Sequence, residues 1–512
     1  MVSRSGSVLF HSIEFLFFFL PVTWVVFLLL VKTGRARGAV AWLTFASLFF
    51  YAWWKWEYLA LLVGSILVNF FIGCAVCPKT SRLSQPVRLA ILVAGLVLNV
   101  GALAWFKYAN FFVDNLNLLL GASFNLEKII LPLAISFFTF QQIAYIVDAY
   151  RGDTHGYTFL EYSFFVSFFP QLIAGPIVHH HEVLPQIDRE RWRPVRMENL
   201  HVGITIFLIG LFKKMVIADG CAEYATPVFD HAAGGGALSA TDAWVGALAY
   251  TFQLYFDFSG YSDMATGLAR CFGIVLPLNF ASPYKALDIV DFWRRWHITL
   301  SRFLRDYVYI PLGGNRRGIV LRYSNLMITM LIGGLWHGAG WTFVIWGALH
   351  GFYLVVNHAW RAATRNLFAR APIIDTALRP AAWLLTFLVV LVGWVFFRAA
   401  DPSTAAKLLG TMFGTAAQAS APYPASLAAI LAGEMKFIWL ALVAGIAFLA
   451  PSTQQYLRDF QPALAPGPES RIPRTPAWRP TLGHGLLIGA ILFLTIKRYF
   501  LLAPTEFLYF NF

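Results

Sequence analysis

Apolar residues run in long blocks along this chain, separated by short polar links. Blocks lie near 15–31, 39–54, 58–77, 89–106 and 129–147, then near 158–178, 201–218, 243–257 and 262–276. Further blocks follow near 326–346, 342–358, 381–397, 436–450 and 484–502. A run of about twenty apolar residues in helical form matches the hydrocarbon thickness of a bilayer, so the pattern predicts an all-α polytopic membrane protein. Several blocks are too short, or too interrupted by Gly and Pro, to span. Irregular backbone at membrane depth is tolerated only where protein encloses it, so these predict re-entrant or tilted segments. The longest polar stretches are 179–199, 281–325 and 452–483, and the last, rich in Pro and Arg, reads as a loop. No internal repeat and no appended soluble domain is visible, so a single transmembrane domain over 1–512 is expected.

Composition agrees. Of 512 residues, 58% are hydrophobic and 13% charged, against about 25% charged in a soluble domain. The net charge of +13 would suit a nucleic-acid partner, but Lys and Arg gather in short loops, as the positive-inside rule requires. Lys32, Arg35 and Arg37 follow the first block and only Arg4 precedes it, which puts the N-terminus outside and the loop at 32–38 in the cytoplasm. Lys79, Arg82 and Arg88 place the loop at 78–88 there too. No small-x-small cleavage site follows the first block. Cys74, Cys77, Cys221 and Cys271 make no disulfide framework, and the CxxC of Cys74 and Cys77 lacks the βαβ context of a redox motif.

Two regions carry polar chemistry. TFQLYFDFSGYSDMATGLAR, 251–270, sets Asp257 and Asp263 in an apolar context, at a cost of about 2.5–3.5 kcal/mol each at a membrane centre. They form either the wall of a polar cavity or a structural set in which Asp257, Ser259, Tyr261 and Asp263 satisfy each other or a broken helix end around Gly260. DIVDFWRRWHITLSRFLRDYVYIPLGGNRR, 288–317, reads as a helix with Phe292, Trp296, Leu300 and Phe303 on one stripe, with Arg294, Arg295, Arg302 and Arg305 around it and His297 inside it. It is an interfacial helix on anionic lipid, or its guanidinium groups also meet the phosphates of a soluble substrate. Residues 326–349 carry no Lys, Arg, Asp or Glu, yet hold His337 between Trp336 and Gly338. An ionisable group inside a membrane segment is a functional candidate by default.

FWRRWHITLSRFLRDYVYIPLGGNR and GGLWHGAGWTFVIWGALHG resemble the bacterial membrane-bound O-acyltransferase (MBOAT) family, in its alginate O-acetyltransferase branch. FYAWW at 50–54, WFKYANFF at 105–112, LPLAISFFTFQQIAYIVDAYRGD at 131–153, FFPQLIAGPI at 168–177 and LAYTFQLYFDFSGYSDMATGLA at 248–269 extend the similarity over roughly 8–400. Residues 401–512, a loop and additional membrane helices, match more weakly. The resemblance implies a helical bundle with a funnel on each face meeting at a narrow tunnel. It implies acyl transfer from a cytoplasmic thioester to a hydroxyl on the far side of a bacterial inner membrane. The family's near-invariant histidine aligns with His337 and a more variable one with His297. In the alginate branch acetyl-CoA is the donor substrate, no cofactor is bound, and a periplasmic SGNH-hydrolase-like, esterase-like partner completes transfer to an exported polysaccharide. Trp336 and Trp296 are then expected to line the substrate path, with Tyr255 and Asp257 on its polar wall and Arg294 and Arg295 on the donor.

VHHHEVLPQ, 178–186, departs from the family pattern. Adjacent residues point in different directions, so His179, His180, His181 and Glu182 are expected to form a solvated loop rather than a metal site. Acyl transfer needs a base for the hydroxyl proton, which a neutral imidazole supplies; glycines at 333, 334, 338 and 340 leave room for substrate at His337, and Trp336, Trp341 and Trp346 can shape a wall. No GxSxG motif is present and no Cys lies in the core motifs, favouring direct transfer over an acyl-enzyme. His350, expected near a helix end, and His358 are expected to be structural. The competing class is a proton-coupled transporter using Asp257, Asp263 and His337, which the absence of inverted repeats disfavours. The acceptor stays open: alginate-type polymer, cellulose, teichoic acid or a lipid.

Overall fold

The structure, a computed structural model, describes residues 10–154, 156–187, 196–370, 372–415, 423–464, 477–501, 505 and 507–508. Arg4 and parts of the polar stretches 179–199 and 452–483 lie outside them. Seven helices among the described residues are long and apolar enough to cross a membrane, eight if one bent pair counts as a span. Among these residues there is no strand beyond the single bridge Pro277–Leu464. The chain is an all-α polytopic membrane protein.

The backbone divides into two compact units. The first holds Met1–Leu208, Ser262–Leu278 and Phe460–Ala465. Its helices are α1 (Leu20–Lys32), α2 (Ala36–Trp54), α3 (Glu57–Val76), α4 (Gln85–Leu120), α5 (Ile135–Arg151), α6 (Phe159–Ser167), α7 (Phe169–Leu172) and α8 (His180–Val183), with the start of α9 (Met197–Phe212). Apolar side chains such as Phe17, Val97 and Leu118 stay on the outer surface, which lipid tails rather than water accommodate. Lipid gives no hydrophobic drive between helices, so polar pairs serve instead: Asn69 of α3 and Asn99 of α4 exchange amide hydrogen bonds of 3.2 and 2.7 Å. Thr158 and Glu161 form a capping box that starts α6.

The second unit holds Ile209–Tyr261, Asn279–Asp459 and Pro466–Phe512. It contains α10 (Asp219–Ala233), most of α11 (Ala240–Cys271), α12 (Ile289–Arg295), α13 (Ile298–Leu304), α14 (Ile319–His337), α15 (Trp341–Arg370), α16 (Pro372–Arg398), α17 (Pro402–Met412), α18 (Ala425–Leu431), α19 (Met435–Leu449), α20 (Thr453–Tyr456) and α21 (Leu482–Leu501). Helices α18 and α19 form the bent pair, at 54°. The block at 243–257 and most of that at 262–276 are one helix, α11, which runs through Gly260 without a break. Gly260 is needed instead for close approach: a Cβ there would lie 2.8 Å from the Gly210 carbonyl oxygen.

Candidate active site

The segment 288–317 is not one helix. Asp288 caps α12 by accepting from the backbone N–H groups of Val290 and Asp291 at 2.9 and 3.0 Å. The helix ends at Arg295, and α13 starts at Ile298. Between them His297 takes a left-handed backbone, φ 42°, a conformation that costs a non-glycine residue about 1–3 kcal/mol unless its surroundings enforce it. The segment at Asn279–Ala281 enforces it. Ile298 N–H donates to the Asn279 carbonyl at 3.0 Å and Ala281 N–H to the Arg295 carbonyl at 2.9 Å. The Asn279 Oδ1 accepts from the Thr299 hydroxyl at 2.9 Å and from His297 Nδ1 at 3.1 Å. Nδ1 therefore carries the ring proton and Nε2 the lone pair. Burial pushes the imidazolium of His297 down to about 3, so the ring is neutral.

His337 is not in the middle of a span either. It is the last residue of α14, and Gly338–Gly340 turn the chain into α15. The two helices meet at glycines: a Cβ on Gly334 would lie 2.3 Å from the Phe343 carbonyl oxygen, and one on Gly347 2.5 Å from that of Met330. That contact places His337 against Trp346, with ring centroids 5.0 Å apart, and the neighbouring Phe397 of α16 at 5.2 Å. His297 faces it at 6.2 Å between centroids, with Trp336 5.8 Å from His297 and 5.0 Å from His337. Two histidines from two helix breaks thus converge in one aromatic enclosure. Both are buried, at 0% and 2% exposure.

The remaining candidates separate. Trp296, fully buried, packs between Phe280, Phe292 and Trp394 at 5.0, 5.7 and 4.8 Å, and Tyr255 lies 6.4 Å from it. These two pack behind Phe280, which with Phe258 is against the His297 ring, at 6.4 and 4.8 Å. Asp257 instead pairs with Lys214 at 2.9 Å and accepts the Leu508 N–H at 3.0 Å; the Lys214 ammonium also reaches Asp219 at 2.7 Å. Arg295 is held by Asp291 at 3.0 Å, and Arg294 is exposed.

His350 is in the interior of α15, buried, 4.7 Å from Trp346 and 5.3 Å from Trp293, so its expected place near a helix end was wrong. Gly393 of α16 admits it: a Cβ there would sit 2.9 Å from His350 Nε2. The triple histidine is not a solvated loop. His179 and His180 are buried and only His181 is exposed, because the turn into α8 folds them back toward Asp148 of α5, 3.4 Å from His180 Nε2.

Sequence reasoning missed Asn279, Trp394, Phe397 and Lys214. For Asn279, 18 residues from His297, no local signal exists. Lys214 was findable, as a cation inside the apolar block 201–218, since intramembrane charges pair with one another.

The model of the MBOAT, membrane-bound O-acyltransferase family, matches residues 96–392. The chain belongs to that family. Among curated relatives, a peptidoglycan O-acetyltransferase of Helicobacter pylori is 48% identical over 441 residues, covering 81% of each chain. A probable alginate O-acetylase of Pseudomonas aeruginosa is 42% identical over 439 residues, covering 85% of this chain and 80% of its own. A teichoic acid D-alanyltransferase of Streptococcus thermophilus is 30% identical over 237 residues, covering 44% of this chain and 57% of its own. The MBOAT match places both helix breaks, with His297 and His337, inside the family region. The protein is an O-acyltransferase of the MBOAT family, and its long relatives are O-acetyltransferases named for polysaccharide acceptors.

Proposed function

We propose that this protein takes an acetyl group from cytoplasmic acetyl-CoA and delivers it across the bacterial inner membrane toward hydroxyls of an exported polysaccharide, with a periplasmic partner completing the transfer. The observation that carries the reading is the convergence of His337 and His297, 6.2 Å apart between ring centroids, in a buried aromatic enclosure. His337 acts as the base. It takes the proton of the acceptor hydroxyl as the oxygen attacks the thioester carbonyl. The new C–O bond forms, the C–S bond breaks, and the thiolate of coenzyme A recovers the proton from the imidazolium. His297, with its protonated Nδ1 held by Asn279 and Nε2 lone pair opposite, positions an acceptor hydroxyl or the attacking group by accepting a hydrogen bond. Trp336, Trp346 and Phe397 exclude water, which would otherwise hydrolyse the thioester. The Lys214–Asp257 pair leaves Asp257 a structural task, and of the two arginines expected on the donor Arg294 is the exposed one, open to the phosphates of coenzyme A.

The test uses protein in nanodiscs together with its periplasmic esterase-like partner, radiolabelled acetyl-CoA and acceptor fragments of alginate or of peptidoglycan glycan. Removing a general base costs about 10²–10⁴-fold, so His337→Ala is expected to abolish measurable transfer while the protein keeps its chromatographic profile. Undiminished transfer by His337→Ala would overturn the assignment. Preference between the two fragments identifies the acceptor, for which the two groups of relatives differ.

A further inference from the structure

The histidine turn has a geometry that the acyl-transfer reading does not use. One nitrogen each of His179 and His181 and one oxygen of Asp148 lie within 4.8 Å of one another. These histidines are two apart, and the intervening His180 also reaches the carboxylate, its Nε2 3.4 Å from Asp148 Oδ2. Their rings are 5.3 Å apart and inclined by only 37°. Asp148 and His179 are both buried, at 6% and 4% exposure. A carboxylate taken out of water needs charge or hydrogen-bond partners, and Asp148 has Arg151 at 3.6 Å and the histidines.

We propose that Asp148, His179 and His181 bind a divalent transition-metal ion of the zinc class. Two imidazoles and one carboxylate are ligands that zinc, cobalt and nickel accept. Bonds of about 2.0–2.2 Å in a tetrahedron require ligand atoms about 3.4 Å apart. Asp148 Oδ2 and His179 Nδ1 stand at 4.0 Å, so closing on an ion needs a contraction of well under an ångström there. The exposed His181 ring makes the larger adjustment and gives the ion its path of entry. His180 lies beside the carboxylate: its Nε2 is 3.4 Å from Asp148 Oδ2 and its Nδ1 3.1 Å from the Tyr157 hydroxyl. The Glu182 carboxylate accepts the His179 N–H at 2.8 Å and fixes the turn. The bound ion ties the end of α5 to the turn at α8 and leaves a fourth position for water or an external ligand.

The experiment measures metal by mass spectrometry in protein purified with a tag that contains no histidine, stripped with chelator and re-equilibrated with zinc or cobalt chloride. The wild type is expected to take up one ion per chain, to show the visible bands of tetrahedral cobalt, and to melt at a higher temperature with zinc. His181→Ala, at an exposed position that leaves packing intact, and the near-isosteric Asp148→Asn are each expected to lose the ion and the melting shift. His180→Ala is expected to weaken binding by about 10–100-fold. Wild type that binds no more metal than the His179→Ala, His181→Ala double variant overturns the proposal, as does binding that persists in both single variants. None of these readouts depends on acyl transfer.

Discussion

Replacing Gly334 by alanine tests whether His337 depends on the contact between α14 and α15. An added Cβ would lie 2.3 Å from the Phe343 carbonyl oxygen and 3.1 Å from Gly347 Cα. Ordinary contact begins near 3.4 Å, so the deficit is 3.4 − 2.3, about 1.1 Å. A backbone oxygen cannot rotate away, so α14 must lift off α15 or tilt. Gly334 lies one helical turn before His337, and the displacement reaches the imidazole almost undamped. Overpacking of this kind costs about 1–3 kcal/mol of stability, and a misplacement of about 1 Å at a reacting group costs about 10²-fold in rate. Gly340→Ala is the control: a Cβ there meets nothing nearer than 3.6 Å. The assay is acetyl transfer in nanodiscs, alongside thermal melting to confirm that both variants fold. Gly334→Ala is expected to fall about 100-fold in kcat, with Gly340→Ala close to wild type. A folded Gly334→Ala as active as Gly340→Ala would refute the argument that this close approach positions His337.

Further outcomes follow from the same geometry. Asn279→Ala removes the acceptor shared by His297 and Thr299, leaving buried donors unsatisfied at about 1–3 kcal/mol. It is expected to lower kcat more than it raises KM for acetyl-CoA, whereas Asn279→Asp places a carboxylate on His297 and should add a break to the pH–rate profile. His297 is held near 3 against about 6.5 when unfolded. Between those values the unfolded chain binds the extra proton, so this group's contribution to stability is complete above about pH 6.5 and is lost as pH falls. Melting temperatures at descending pH check this, with His297→Gln expected to flatten the slope. Lys214→Met leaves Asp219 and Asp257 buried without their cation, which costs about 3–5 kcal/mol; adding Asp257→Asn is expected to recover part of the lost melting temperature.

The helical membrane class was legible because block length and charge placement are local properties of the chain. His337 and His297 were legible as residues, through intramembrane polarity and family motifs, but their setting was not. The stripe Phe292, Trp296, Leu300 and Phe303 is buried as a helical period demands, yet the helix breaks inside it. What breaks it is Asn279 and Ala281, whose hydrogen bonds outweigh the local preference for continuing. His350 illustrates the converse. It was expected near a helix end, while α15 starts at Trp341 and runs to Arg370, which leaves His350 inside it and against Trp346. The histidine run was misread as solvated because the turn into α8 buries His179 and His180 toward Asp148 of α5, far earlier in the chain. In each case a contact distant in sequence decides, and periodicity carries no record of it.

The buried ammonium of Lys214 has a consequence for the order in which the chain is made. Its partners include the Thr505 hydroxyl at 2.9 Å, 291 residues later. Asp257, another of its partners, receives the Leu508 N–H, and Phe507 stacks on Tyr261 at 4.5 Å. During synthesis residues 214–257 are made long before residues 505–508 leave the ribosome. For that interval the Lys214–Asp219–Asp257 group is an unfinished polar site, lacking the hydroxyl and N–H that the late segment brings. The arrival of this late segment closes it, so a chain released early is left with an incomplete polar cluster that quality-control proteases can read as unfinished.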